Sequence, residues 1–268
     1  FALEAGAYLF ADIIFACNLL ETLPPEERPT IPWDDRFTQD DVEAESDLFV
    51  TSVMNLFGKE PVGGRMLQML DCIAQTVEFS PVLSLFRGRI LLAMEKFEET
   101  VKTLEQVSDN GVASKYVYYH CAIAYEELKN LEKTEQHLLA YLEIEPDAPD
   151  VLNFLGYFYA DHNMNLDKAE ELINRALKQD PENPFYLDSL GWLYYRRGKW
   201  DEAADLIRRA IYKMETDDAL LRDHLGDVYL QQGDVAKAIS EWRRAIRLDP
   251  TLDGVREKIE QHTPSGGK

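Results

Sequence analysis

The sequence predicts an all-α fold, a solenoid built from helix–turn–helix repeats. Three observations carry that prediction. Apolar residues recur at helical spacing in paired blocks. Within residues 184–210, Leu187, Leu190, Gly191 and Tyr194 fall at i, i+3, i+4 and i+7, and after a break at Gly198 and Lys199 a second stripe follows at Ala203, Ile207 and Ala210. Small residues, Gly191 and Ala203, stand where the two helices would touch, so their backbones can approach closely. The block also repeats: the Gly191 position is filled by Gly226 in the next copy and by Gly156 in the previous one, 35 residues away in each direction.

The copies differ in how fully they keep the pattern. Gly226 is followed by Tyr229, Ala238, Trp242, Ala245 and Pro250, and Gly156 by Tyr159, Ala169, Ile173, Ala176 and Pro181, with the extra residue placed in the turn near 163–165. Steps of 34 lead back to Ala122 and Gly88. Ala122 precedes Tyr125, Leu138 and Pro146, but Thr134 takes the place of the small Ala; Gly88 precedes Leu91, Thr100, Leu104 and Val107. One more step gives Met54, with Phe57, Met66, Leu70 and Ile73, recognisable by register alone. This pattern resembles the tetratricopeptide repeat, a helix–turn–helix unit of 34 residues with Leu, Gly, Tyr, Ala, Phe and Pro at fixed offsets. The resemblance implies a right-handed α-solenoid. Its repeats would occupy 115–148, 149–183, 184–218 and 219–252, with a repeat-like unit over 81–114 and a degenerate one over 39–80.

The remaining elements follow in order. Residues 1–20 are apolar and helix-like; Glu4 and Asp12 argue against a signal peptide, a lipoprotein cleavage box at Ile14–Cys17 or a membrane span, leaving a buried helix. The sequence opens on Phe1 rather than Met, which leaves room for a preceding region with further repeats, a signal sequence or a catalytic domain. Residues 21–38 form an acidic linker in which Pro24, Pro25, Pro29 and Pro32 prevent a helix, with Trp33 as the residue to pin it down. Thr38 is placed to cap a helix reaching about Phe57, and residues 58–64, GKEPVGG, read as a turn. A second helix ends near Phe79, and Pro81 opens the next unit. Asp201 either caps the helix after Gly198 or adds charge to its first turn. Leu252, Val255 and Ile259 suit a capping helix over 253–262, and residues 263–268 form a disordered tail.

Composition narrows the function. The net charge of −21 is uneven: residues 1–46 carry 11 acids and 2 bases, residues 47–183 carry 23 and 12, and residues 184–268 carry 15 and 14. So acidic a chain repels phosphate, which argues against nucleic acid and against direct binding to an anionic membrane. Cys17, Cys72 and Cys121 lack any metal or redox spacing and read as free thiols. There is no phosphate-binding loop, no GxSxG, no HExxH and no EF-hand pattern. Adjacent carboxylates such as Glu98–Glu99 and Glu170–Glu171 do not share a helix face, so they are solvating charges rather than an acid–base pair. His162 and His224 each follow an Asp, but neighbours on a helix diverge by about 100°. His224 therefore reads as structural or hydrogen-bonded. No catalytic residue, metal or cofactor is expected.

A surface remains. By the resemblance, the first helix of each repeat lines a concave groove. On that face lie Tyr119, Asn153, Tyr157, Phe185, Asp188, Trp192, Tyr195, Arg196, Asp223 and Asp227. Across the four units from Lys115 to Gln231 the face carries seven acids, one base and six aromatics. Aromatics interleaved with carboxylates suit a bound chain better than catalysis. Trp192 is the expected anchor, and it is expected to pack within the protein less than Tyr116 or Tyr157 does. The expected partner is a protein or peptide with a basic and apolar segment, and the expected function a non-catalytic scaffold or adaptor. The alternative is the docking arm of a larger enzyme or envelope lipoprotein complex. The stretches Asp188–Trp192 and Asp223–Asp227 are also similar to the last repeats of bacterial envelope lipoproteins that deliver substrates to a carboxy-terminal processing protease. A soluble protein of the cytoplasm or periplasm fits all of these.

Overall fold

The structure is a computed structural model and describes residues 38–40, 42, 58–74, 80–252 and 254–263. The expectations for 1–37, for Met54, Phe57 and most of the helix over 39–57, and for the tail beyond Thr263 lie outside the described residues. The chain divides into two compact units, Phe1–Glu145 and Pro146–Lys268. Twelve helices are described, with no strand among the described residues. In the first unit they are α1 (Lys59–Ala74), α2 (Pro81–Ala93), α3 (Phe97–Asp109), α4 (Lys115–Glu127) and α5 (Leu131–Ile144). In the second they are α6 (Pro149–Asp161), α7 (Leu166–Gln179), α8 (Pro184–Arg196), α9 (Trp200–Lys213), α10 (Ala219–Gln231), α11 (Val235–Leu248) and α12 (Val255–His262). None of the described helices is long and apolar enough to cross a membrane.

Consecutive helices pack as pairs, α2 on α3, α4 on α5, α6 on α7, α8 on α9 and α10 on α11, as the repeat pattern predicts. The small slot shows why. A Cβ added at Gly191 would lie 2.6 Å from Ile207 Cγ1 and 3.3 Å from the Ala203 carbonyl oxygen, so the tightest contact of Gly191 is with Ile207 rather than the Ala203 side chain. The same Cβ would meet Ile173 at 2.6 Å from Gly156 and the Trp242 ring at 2.5 Å from Gly226. Only a residue without Cβ lets these helices approach so closely. In the first unit the neighbouring slots hold Thr100 and Thr134, both fully buried, and each hydroxyl donates back to a carbonyl four residues earlier, Lys96 at 2.9 Å and Asn130 at 3.0 Å. The larger polar residue is tolerated there because its hydrogen bond is satisfied within its own helix.

Helix starts are set by local chemistry. Ser80, Ser114, Asn183 and Asp218 each accept a hydrogen bond from the first turn that follows. The tight turns inside the pairs need one residue in the left-handed region. Gly198 and Gly233 supply it, but Glu95 at φ 61 and Lys129 at φ 57 do so in the first unit. Asp201 proves to be a first-turn acid: α9 starts at Trp200, and Lys199 holds the cap position without a side-chain bond. The turn expected over 58–64 is instead the start of α1, which begins at Lys59 after Gly58 at φ +91. Pro61 fits there because a first-turn amide has no partner within the helix. Cys121 is free and buried, and burial pushes its thiol up to about 12, so it is inert.

At the far end of the second unit, α12 packs on α11. Val255 is fully buried with Ala238, Trp242 and Ala245, and Leu252 and Ile259 pack at the edge of that cluster. Arg222 is buried too and is held by Asp217 at 2.6 Å and Glu241 at 2.9 Å.

Candidate functional site

The first helices of the second unit, α6, α8 and α10, carry nine of the ten residues singled out from sequence; Tyr119 belongs to the first unit. Tyr119 is half-buried there, edge-on to the rings of His120 and Tyr141. On α8, Asp188, Trp192 and Tyr195 are spaced i, i+4, i+7 and share one face. That face is largely closed by groups of the neighbouring first helices, His224 of α10 and Asp161 of α6. The Trp192 indole stacks on Tyr195 at 4.6 Å and on His224 of α10 at 4.2 Å, nearly parallel to both. Its Nε1 donates to Asp161 Oδ1 at 3.0 Å. Trp192 is 7% exposed. The expectation that it packs less than Tyr157 is therefore reversed: Tyr157 is half-buried and touches the same His224 ring more loosely, at 6.2 Å. An indole flanked by a histidine one repeat later is a structural member, a relation that helical periodicity on one helix does not reveal.

The carboxylates are engaged in a regular way. Asp150 accepts a hydrogen bond from the Tyr186 hydroxyl, Asp188 Oδ2 lies 2.9 Å from His224 Nδ1, and Asp223 accepts from Lys258 Nζ at 2.8 and 3.0 Å. In each case an acid on one first helix meets a group 35 or 36 residues on, one repeat later. Asp227 accepts from Lys258 Nζ at 2.8 Å and from Trp242 Nε1 at 3.1 Å. The row of acids read from sequence as open to a ligand thus forms rungs between repeats. Lys258 is absent from the residues singled out by sequence although its signal is there, since it follows Asp223 by 35 residues, the repeat spacing itself.

The electrostatics follow from burial and charge. Burial alone would lower the pKa of His224, but the Asp188 carboxylate bonded to it, with Asp223 and Asp227 beyond, raises it above the usual imidazole value. Asp223 is raised by its own burial and by the charge of Asp227, against the pull of Lys258. Lys258 is disfavoured by burial, yet the charge of Asp227 and its bonds to both carboxylates raise its pKa, so the lysine is held protonated. Asp188 Oδ1 and Asn153 Oδ1 are buried with no hydrogen-bond partner among the described residues.

What stays accessible is a smaller set. Phe185 is 53% exposed, Arg196 is exposed and Tyr195 is half-buried. Burial and the nearby Asp227 raise the Tyr195 hydroxyl pKa. Tyr195 and Arg196 line an open depression of about 370 Å³ together with Asn163, Gly198, Trp200 and Gln231. No group of three or more potential metal ligands occurs among the described residues. The arrangement presents aromatic edges and a cation beside a wall of engaged carboxylates.

Comparison with known proteins agrees with the repeat geometry. Residues 135–184, 163–220 and 189–253 match the tetratricopeptide repeat family. Solved structures share the fold, among them the following three. A tetratricopeptide repeat protein from Parabacteroides merdae superposes with a TM-score of 0.60 at 15% identity, covering 84% of this chain and 98% of its own. A thermophilic TPR protein from Thermus thermophilus gives 0.58 at 16%, covering 68% and 98%. Cut9–Hcn1, the APC/C hetero-tetramer, gives 0.66 at 12%; the match covers 84% of this chain and 45% of that one. No curated protein matches in sequence. The helix pairs, the small-residue slots and the family match together show that residues 135–253 are tetratricopeptide repeats and that the chain has the tetratricopeptide-repeat fold.

Proposed function

We propose that this chain is a non-catalytic scaffold that holds a protein segment bearing a basic and an apolar residue on the first-helix face of its second unit. The repeat family and its fold serve protein interaction in general, and the Cut9–Hcn1 hetero-tetramer contains a chain that shares this fold over part of its length. One observation carries the finer reading. The Asp223–Asp227 pair already holds a lysine, Lys258, at 2.8–3.0 Å, over a wall that includes the Trp242 ring. The chemistry this face accepts is therefore a cation with apolar neighbours. Phe185, Tyr195 and Arg196 are the accessible side chains that would meet the rest of the segment. Asp188 and Trp192 act from within, by fixing the α8–α10 spacing.

The test is a pull-down from source-cell lysate with the full chain, followed by calorimetry on the recovered protein. Phe185→Ala combined with Tyr195→Ala is expected to weaken binding about tenfold or more, as loss of central aromatic anchors does. Binding is also expected to weaken with salt, because screening acts over about 10 Å at 0.1 M. Folded variants that bind as the parent does would overturn the proposal.

A further inference from the structure

The last helix differs from those it packs with. Helix α12 has 8 residues, against 13 in α10 and 14 in α11. It is entered through Gly254 at φ 73 and has no side-chain cap bond. A helix this short is marginal on its own, so tertiary contacts hold it. Among its residues Val255 alone is fully buried, and Ile259 packs at the edge of the same cluster. Its one charged anchor is Lys258, bonded to Asp223 and Asp227 and lying 5.8 Å from the centre of the Trp242 ring. The two carboxylates need that cation: Asp223 is buried beside Asp227, and two like charges without a counter-charge are costly in such a setting. Any occupant of this end of the face must bring a positive charge and an apolar contact on the same helical side. Val255, Lys258 and Ile259, at i, i+3 and i+4, do that.

We propose that α12 is an autoinhibitory plug seated on the α10–α11 end of the interaction surface, displaced when a partner helix repeats its pattern of an apolar residue, a cation three positions on and an apolar residue next to it. This rests on the function proposed above and adds that Asp223 and Asp227 are covered in the resting chain. The occupant follows from charge complementarity: the wall is a pair of carboxylates with the Trp242 ring beside Asp227, and Trp242 belongs to the apolar cluster against which Tyr229, Leu230 and Ile259 pack.

The test uses the full chain and a labelled synthetic peptide of residues 251–263, read by fluorescence anisotropy. The parent is compared with the full chain carrying Val255→Ser and Lys258→Ser, which unseats the resident helix. The unseated chain is expected to bind the peptide about tenfold or more tightly than the parent, and a peptide carrying Lys258→Glu is expected to lose that gain, as truncation of one partner of a buried charge pair does. A folded double variant that binds no better than the parent overturns the proposal. So does a double variant that dimerises without binding peptide, since a second copy then covers the face. Should the double variant not fold, hydrogen exchange on the parent decides: saturating peptide should speed exchange of the 255–262 amides, and unchanged exchange counts against the plug. Partner capture that depends on Phe185 and Tyr195 but not on unseating α12 would leave the proposed function standing and remove the plug alone.

Discussion

The two units solve one packing problem with different residues. In the second, Gly156, Gly191 and Gly226 face Ile173, Ile207 and Trp242, and the adjoining slot is always Ala169, Ala203 or Ala238. In the first, Gly88 faces Leu104, and Thr100 and Thr134 replace the alanines with hydroxyls bonded to their own helices. Buried histidines differ in the same sense. His224 is hydrogen-bonded to Asp188 and stacked on Trp192, whereas neither ring nitrogen of His137 has a hydrogen-bond partner among the described residues, and the Glu105 carboxylate stands 3.8 Å away. The second unit uses polar groups to join one repeat to the next. The first keeps several of them satisfied locally or neutral.

The largest expected effect follows from the glycine slots. At Gly226 an added Cβ would press on a rigid indole whose Nε1 is already bonded to Asp227, so Gly226→Ala should cost about 1–3 kcal/mol by overpacking. At Gly88 the added Cβ would lie 2.3 Å from Leu104 Cδ2 and 2.6 Å from its Cγ; the buried leucine must shift as well, but it has side-chain rotations that an indole lacks, so Gly88→Ala should cost less than Gly226→Ala. Urea denaturation of both variants checks this. Equal losses would mean that the two units pack alike after all.

These contrasts also explain what is legible in the sequence. The fold is readable because the small residues and the apolar stripes sit at fixed spacing, and that spacing is dictated by backbone approach. The start of α1 reads wrongly as a turn because Gly58, Pro61, Gly63 and Gly64 look like turn residues, while Pro in a first turn is compatible with a helix. The face is readable as a face, but the state of its side chains is not. Asp188, Trp192 and Asp223 show helical periodicity whether they meet a ligand or the next repeat. Their partners lie 35 or so residues away, and only a search at the repeat period, from Asp188 to His224 or from Asp223 to Lys258, brings them out.

A smaller effect should separate the histidines by the sign of their pH dependence. The folded pKa of His224 lies above its unfolded value, so its stabilisation is whole below about pH 6.5 and is lost as pH rises through the folded value. Burial lowers the pKa of His137, against Glu105 and with the help of Lys133, so its contribution is present above about pH 6.5 and is lost on acidification. Replacing each with Gln and subtracting the pH–stability curve of the variant from that of the parent should give slopes of opposite sign. Slopes of the same sign would remove the distinction between the two environments.

The smallest effect concerns the turns. Lys129 holds a left-handed conformation that Gly198 and Gly233 supply in the second unit. Lys129→Gly should be neutral to stabilising, by up to about 1 kcal/mol, because relief of the left-handed strain is partly offset by the entropy of a glycine in the unfolded chain. A thermal melt checks this: a clear loss of stability would show that the strain is not there.

The acids of the first-helix face are rungs that hold a group from the next repeat, and at Asp223 that group is a cation. A double-mutant cycle on Asp223→Asn and Lys258→Met, measured by chemical denaturation of the full chain, tests it most directly. The two residues should couple by about 1.5–3 kcal/mol, as charge-assisted hydrogen bonds in partly buried settings do. Additive losses with no coupling would contradict the claim and return Asp223 to the solvent-facing role that its sequence position alone suggests.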